Sequence, residues 1–254
     1  MNQFGPLKFG VLLMLSFALV NQVRATEIKA VFPGAMRTEL AELLPQFEEK
    51  YGDKVVPVYG AVGAIVARLK NGDKADLVVV SGGALADLIA QGKIRSQGMP
   101  RLPGRNRCVH AKGAVKPDIG SVDAFRKALL SATAVAYKDP AVGDSSAIFA
   151  RDLLERLGIA AEMKPRIRVV APPEIIATVV RGDAEIGFDQ MSNVAIDPRV
   201  GPIRVLPNGI QHYTNYVGGI VAESMQEESA RALIIFLRSS SSQAAMKQKG
   251  FEPL

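Results

Sequence analysis

From residue 26 onward the chain alternates short apolar runs of strand length with amphipathic stretches of helical period, and this alternation restricts its fold more than any other property. Strands are predicted over 28–32, 55–59 and 77–81, with helices over 38–51, 64–70 and 84–90. Apolar runs separated by helices do not suit hairpins; they suit an open, mostly parallel sheet with helices on both faces. The tract 95–107, with Gly98, Pro100, Pro103, Gly104 and four arginines, breaks the rhythm and reads as a crossover between two lobes. A second set follows, with strands over 107–110, 134–137, 167–170 and 185–188 and helices over 121–130, 146–157 and 173–180. Strands near 203–206 and over 213–221 then lead to closing helices over 227–237 and 240–249.

One phrase occurs in both halves. Asn71-Gly72-Asp73 and Arg181-Gly182-Asp183 each close a predicted helix and precede a strand, and each strand opens into a polar loop, Ser81-Gly82-Gly83 or Gln190-Met191-Ser192-Asn193. Two similar α/β halves that aim strand-end loops and helix starts outward bracket a cleft, and ligands of open α/β sheets sit at those carboxyl ends. The expected division is lobe 1 from 26–104 plus 215–254 and lobe 2 from 105–214.

Residues 1–25 read as a secretory leader: Lys8 gives a positive start, 9–20 is nearly all apolar, and Val23-Arg24-Ala25 suits cleavage before Thr26. The apolar run is too short to span a bilayer, and no cysteine follows it to carry a lipid anchor. The expectation is a periplasmic protein with no membrane insertion after cleavage. Loss of Lys8 and Arg24 lowers the formal net charge from +6 to +4, a weak bias toward anionic ligands. Cys108 is the single cysteine, so the chain has no internal disulfide and rests on its apolar core; it reads as a buried strand residue. His110 and His212 have no metal-ligand spacing, and Walker, dinucleotide-glycine and GxSxG patterns are absent. No metal or cofactor is implied, and no helix-turn-helix block points to nucleic acid.

The segment AVAYKDPAVGDSSAIFARDLLERLG, residues 134–158, reads as a strand, a tight loop and a capped helix. Asp144, Ser145 and Ser146 compete for the cap of a helix with Ile148, Leu153, Leu154 and Leu157 on its apolar face. Its first-turn N–H groups, dipole and hydroxyls either cap the helix or seat a small anion.

Taken in order, the leader, VFPGAMRTELAELLPQFEEKYG, the glycine-rich loop at 60–63, ADLVVVSG, AYKDP with its capped helix, GDAEIGFDQMSN and the final KGFEPL carry a resemblance. From about Glu27 to the C-terminus the chain resembles the molybdate-type extracytoplasmic solute-binding proteins of ABC importers. The resemblance implies a type II periplasmic-binding-protein fold, with two α/β lobes, two hinge strands and closure over one small anion. Two serines of that family fall here at Gly34-Ala35-Met36 and Gly60-Ala61-Val62-Gly63, leaving backbone N–H donors only. Ser145 and Ser146 match the third contact, Glu174 and Ile175 lie near the fourth, and the tyrosine of molybdate binders is replaced around Gln190 and Ser192. Ser81 completes the expected contact set.

Arg37, in the first turn of its helix, and Arg107, at the lobe boundary, are guanidinium candidates for a bidentate carboxylate, though each also reads as a surface charge. The lost hydroxyls and the arginines tilt the ligand from molybdate or tungstate toward an organic acid. The expected function is a monomeric binding protein, not an enzyme, that captures a small anion and delivers it to an ABC-type permease. The alternatives are a periplasmic sensory or partner-docking protein and a hydrolase using Ser145, for which neither histidine offers a base.

Overall fold

The computed structural model describes residues 25–95, 102–114, 116–171, 174–190, 197–201, 204–249 and 251, without the side chains of 102–107 and 204–205. Residues 1–24 of the expected leader therefore lie outside the described residues. Three strand–helix units open the chain: β1 (Glu27–Pro33) with α1 (Arg37–Tyr51), β2 (Lys54–Gly60) with α2 (Val62–Lys70), and β3 (Leu77–Ser81) with α3 (Gly82–Ala90). A 3-10 turn, Gly34–Met36, joins β1 to α1. After the short β4 (Ile94–Arg95), β5 (Leu102–Val109) leads into α4 (Val122–Ser131), β6 (Val135–Lys138), α5 (Ser145–Arg156), α6 (Ala160–Met163) and β7 (Ile167–Val170). The chain continues through α7 (Glu174–Arg181), β8 (Ile186–Gln190), β9 (Arg204–Val205), β10 (Tyr213–Val221), α8 (Glu227–Leu237) and α9 (Ser240–Gln248).

The strands lie in the order β2-β1-β3-β10-β5-β8-β6-β7. Pairing is parallel for β1 with β2 and β3, and for β6 with β7 and β8. Between these two parallel sets run β5 and β10, antiparallel to each other from Tyr213 opposite Arg105 to Tyr216 opposite Leu102. The far half of β10 pairs with β3, and the far half of β5 pairs with β8. These two strands carry the chain from one lobe to the other. The proline- and glycine-rich tract is thus strand from residue 102 onward, because Pro103 and Gly104 sit where β5 meets only β10 and a neighbouring hinge strand supplies the order their propensities do not.

Packing follows the predicted periodicities. On α1, Leu40, Leu43, Leu44 and Phe47 fall on one face and are buried; the helix stops at Gly52, which takes φ 78° and returns its N–H to Glu48 O. Phe47 meets Phe236 of α8 edge-on at 5.6 Å, so the closing helices complete the first lobe. That lobe's core joins residues from 28–94 with residues from 216–251. The second lobe has one cluster on each sheet face, Phe125, Phe149, Leu153 and Phe188 on one side and Val109, Ala136, Ile175 and Val179 on the other. Cys108 is buried in β5, and burial pushes its thiol up to about 12, which keeps it an unreactive apolar filler.

The repeated phrase has the same geometry twice. Gly72 and Gly182 take φ 89° and 82°, and the N–H groups of Asp73 and Asp183 return to Arg68 O and Thr178 O, closing α2 and α7 alike before β3 and β8. Several helices begin earlier than their sequence signals. Ala61 and Ser81 give no side-chain cap to α2 and α3, so no capping residue marks those starts.

Candidate functional site

A cavity of about 770 Å³ lies between the lobes, at the carboxyl ends of β1, β2, β6 and β8. The first lobe contributes Gly34, Ala35, Arg37, Thr38, Tyr59, Gly60 and Ala61. The second contributes Lys138, Asp144, Glu174, Ile176, Ala177, Asp189, Asp197 and Arg199.

The wall of the first lobe is mostly backbone. Gly34 follows the end of β1 and Gly60 ends the adjacent parallel β2, paired as Pro33 with Gly60, and the uncapped start of α2 follows. Above them the Arg37 guanidinium lies 4.2 Å from the centre of the Tyr59 ring. Among the described residues no carboxylate pairs with Arg37. Beneath this surface Glu39 is 1 % exposed, and its carboxyl oxygens reach no partner beyond the residue's own N–H. Burial raises its pKa to about 7, against smaller opposing effects of that N–H and of Lys249.

The wall of the second lobe is an ion-pair network. Lys138, the last residue of β6, is 4 % exposed and donates to Asp189 Oδ1 at 2.6 Å, with Asp144 Oδ2 at 3.4 Å and Ser146 Oγ at 3.5 Å. Burial by itself would lower the ammonium's pKa, but the charges and hydrogen bonds of Asp189 and Asp144 outweigh it and leave Lys138 above its ordinary value. Asp144 is the cap of α5: its Oδ1 accepts from Ser146 N at 2.9 Å, Ala147 N at 3.1 Å and Ser146 Oγ at 2.6 Å. Burial opposes its ionisation, yet Lys138 and these donors hold its pKa below the usual carboxylate range. The competition among Asp144, Ser145 and Ser146 therefore ends with a carboxylate of the chain itself at the positive end of the helix. Farther along the wall Arg199 forks onto Asp197 at 2.7 and 2.9 Å.

The structure brings Gly34, Ala35, Arg37, Gly60, Ala61 and Glu174 to the cavity. Met36 and Val62 face the first core, and Ile175 faces a core of the second lobe while its neighbours Ile176 and Ala177 line the cleft. Gly63 lies against the opposite lobe, its N–H donating to Gly143 O. Ser81 precedes α3 without lining the cavity, and Ser146 is buried with its hydroxyl bound to Asp144. Ser145 begins α5, beside the buried phenol of Tyr216. Gln190 is buried and donates its side-chain amide to Tyr216 Oη at 2.5 Å. Arg107 pairs by backbone with Asp189 but its side chain, like all of Ser192, lies outside the described residues. Neither histidine serves Ser145: His110 Nδ1 lies 2.9 Å from Ala111 O, and His212 stacks on Phe149.

Tyr59, Lys138, Asp189, Asp197 and Arg199 were missing from the sequence-based set. A signal existed for two of them, since Lys138 and Asp189 are charged residues at the carboxyl ends of otherwise apolar strands, AVAYK and IGFDQ.

The two-lobed, strand-hinged α/β architecture with a cleft at the strand ends is that of type II periplasmic binding proteins. The chain matches the family described as bacterial extracellular solute-binding protein over residues 28–252, and it belongs to that family. It is 31% identical to an aconitate isomerase from a Pseudomonas species, over 98% of this chain and 96% of that protein. Its fold superposes on the periplasmic molybdate-binding protein of Azotobacter vinelandii with a TM-score of 0.76 at 18% identity, covering 89% of this chain and 99% of that one. It superposes on a sulfate-binding protein of Mycobacterium tuberculosis with a TM-score of 0.71 at 18% identity, covering 90% and 87%. The resemblance to molybdate-type solute-binding proteins and the fold it implied are both borne out. Among the described residues no helix is long and apolar enough to cross a membrane.

Proposed function

We propose that this protein captures a small organic polycarboxylate between its lobes and delivers it to an ABC-type permease. The observation that carries the reading is Arg37: a guanidinium on the cleft wall, held over Tyr59, with no carboxylate paired to it among the described residues. Its planar fork suits a carboxylate, and in the loops at Gly34 and Gly60 backbone N–H donors stand where the molybdate-type resemblance expects serine hydroxyls. The full-length relative named for aconitate, a tricarboxylate, supports the same ligand class. A thermal-shift panel tests it: trans-aconitate, citrate and tricarballylate should raise the melting temperature, with ligand at a hundredfold its Kd adding about 2.7 kcal/mol. A shift with molybdate or sulfate alone would replace the organic acid with an oxyanion.

A second reading, that the cleft also isomerises its acid, is favoured by the four carboxylates Asp144, Glu174, Asp189 and Asp197, more than an anion receptor needs. In that chemistry a carboxylate removes a proton from the methylene carbon of an unsaturated acid, the double bond moves, and a proton returns at the other end of the three-carbon unit. Atoms and oxidation state balance without a cofactor. Incubation of trans-aconitate with the protein in deuterium oxide, followed by proton NMR, should then give the cis isomer with deuterium at the exchanged carbon. An unchanged spectrum with bound ligand leaves capture alone.

A further inference from the structure

Capture requires the lobes to meet, and one contact shows what limits their approach. Gly63, in the first turn of α2, donates its N–H across the cleft to Gly143 O at 3.2 Å; Gly143 lies in the loop just before α5. A Cβ at position 63 would lie 2.8 Å from Gly143 Cα and 2.9 Å from Val142 O. A Cβ at position 143 would lie 2.5 Å from Gly63 Cα and 2.7 Å from Gly63 N. Every one of these neighbours is backbone, so no rotamer change makes room.

The two glycines differ in what else they do. Gly143 takes φ 74°, a left-handed conformation that closes its turn and favours glycine by itself. Gly63 has ordinary helical geometry, where alanine is the better residue by up to about 1 kcal/mol. The local structure of α2 has no use for glycine at 63, whereas the contact with the other lobe demands it.

Resting on the capture reading, we infer that the Gly63–Gly143 seam determines which acids the cleft selects. Bare backbone on both jaws sets how closely they meet, and that separation fixes the enclosed volume of about 770 Å³. A side chain at 63 wedges the jaws apart, which weakens every ligand that bridges them and weakens the smallest most, because a short acid cannot span the widened gap.

The test compares Gly63→Ala with wild type, using calorimetric titration of succinate and citrate. The control is Gly83→Ala in the first turn of α3, where a Cβ meets nothing within 4 Å. Gly63→Ala should lose about tenfold or more in affinity, more for succinate than for citrate, while its ligand-free melting temperature stays at or above that of wild type. Gly83→Ala should bind like wild type. Undiminished affinity in Gly63→Ala, or an equal loss in Gly83→Ala, overturns the seam. If wild type binds neither acid nor aconitate, capture of a polycarboxylate fails and small-angle scattering judges the seam. Gly63→Trp must then enlarge the radius of gyration of the ligand-free protein, and an unchanged radius rejects the contact.

Discussion

On the first lobe's side of the cleft, Arg37 lies on an aromatic ring with no carboxylate paired to it among the described residues; on the other side, Lys138 is buried against Asp189 and Asp144, and Arg199 is forked onto Asp197. Both walls carry cations, yet pairing gives them different work. The charges of the second lobe are engaged with one another and fix that wall's shape, including the start of α5. Arg37, with no carboxylate partner among the described residues, is on the proposed reading the charge a ligand can use without breaking an existing ion pair. Position in a cleft therefore does not by itself make a charged residue a ligand contact.

The contrast breaks most visibly at Lys138. Lys138→Met takes a buried ammonium away from Asp144 and Asp189 and should remove about 3–5 kcal/mol of stability in denaturant titrations at pH 7. The loss should shrink in acid. Asp144 has a depressed folded-state pKa, so its stabilising contribution is present above the unfolded carboxyl pKa and disappears as pH falls through the folded value. A loss below about 1 kcal/mol at pH 7 would mean that the network does not hold the wall.

Glu39 gives the opposite sign on the other lobe. With its folded pKa raised to about 7, the unfolded chain releases this proton first, so stability falls as pH rises from about 4.3 toward 7. Glu39→Gln should erase that slope and gain on wild type by about 3 kcal/mol between pH 4 and pH 8. Parallel stability curves for the two proteins would reject the neutral buried carboxyl.

The smallest of the three effects separates binding from folding. Arg37→Ala should weaken citrate or aconitate by about 2 kcal/mol, roughly thirtyfold, with no change in ligand-free melting temperature. Arg37→Lys should recover only part of this, since an ammonium cannot form the planar fork. Equal binding in all three proteins would make Arg37 a surface charge and leave the two walls alike.

Much of the fold was legible because it depends on local periodicity. Strands at 77–81, 167–170 and 213–221 and the helix at 227–237 have the bounds their patterns predict, and the doubled Gly-Asp phrase announces two equivalent helix ends. The hinge was less legible, since Pro103 and Gly104 speak against a strand that only its distant partner β10 enforces. At the site, loops that end strands could be placed from sequence, so Gly34, Ala35, Gly60 and Ala61 were nameable. Pairings across the fold could not: Lys138 and Asp189 are 51 residues apart, and Gly63 meets Gly143 only when two lobes come together. The cap of α5 shows the intermediate case, in which three adjacent candidates were visible and only the buried network with Lys138 selects Asp144.

On the proposed reading, the Arg37 guanidinium, paired with no carboxylate among the described residues, makes this cleft a carboxylate site rather than a molybdate site. Calorimetric titration of the wild-type protein with trans-aconitate and, separately, with molybdate tests it most directly. Trans-aconitate should give a saturable one-to-one isotherm and molybdate none; saturable binding of molybdate with none of trans-aconitate would rule out the carboxylate site.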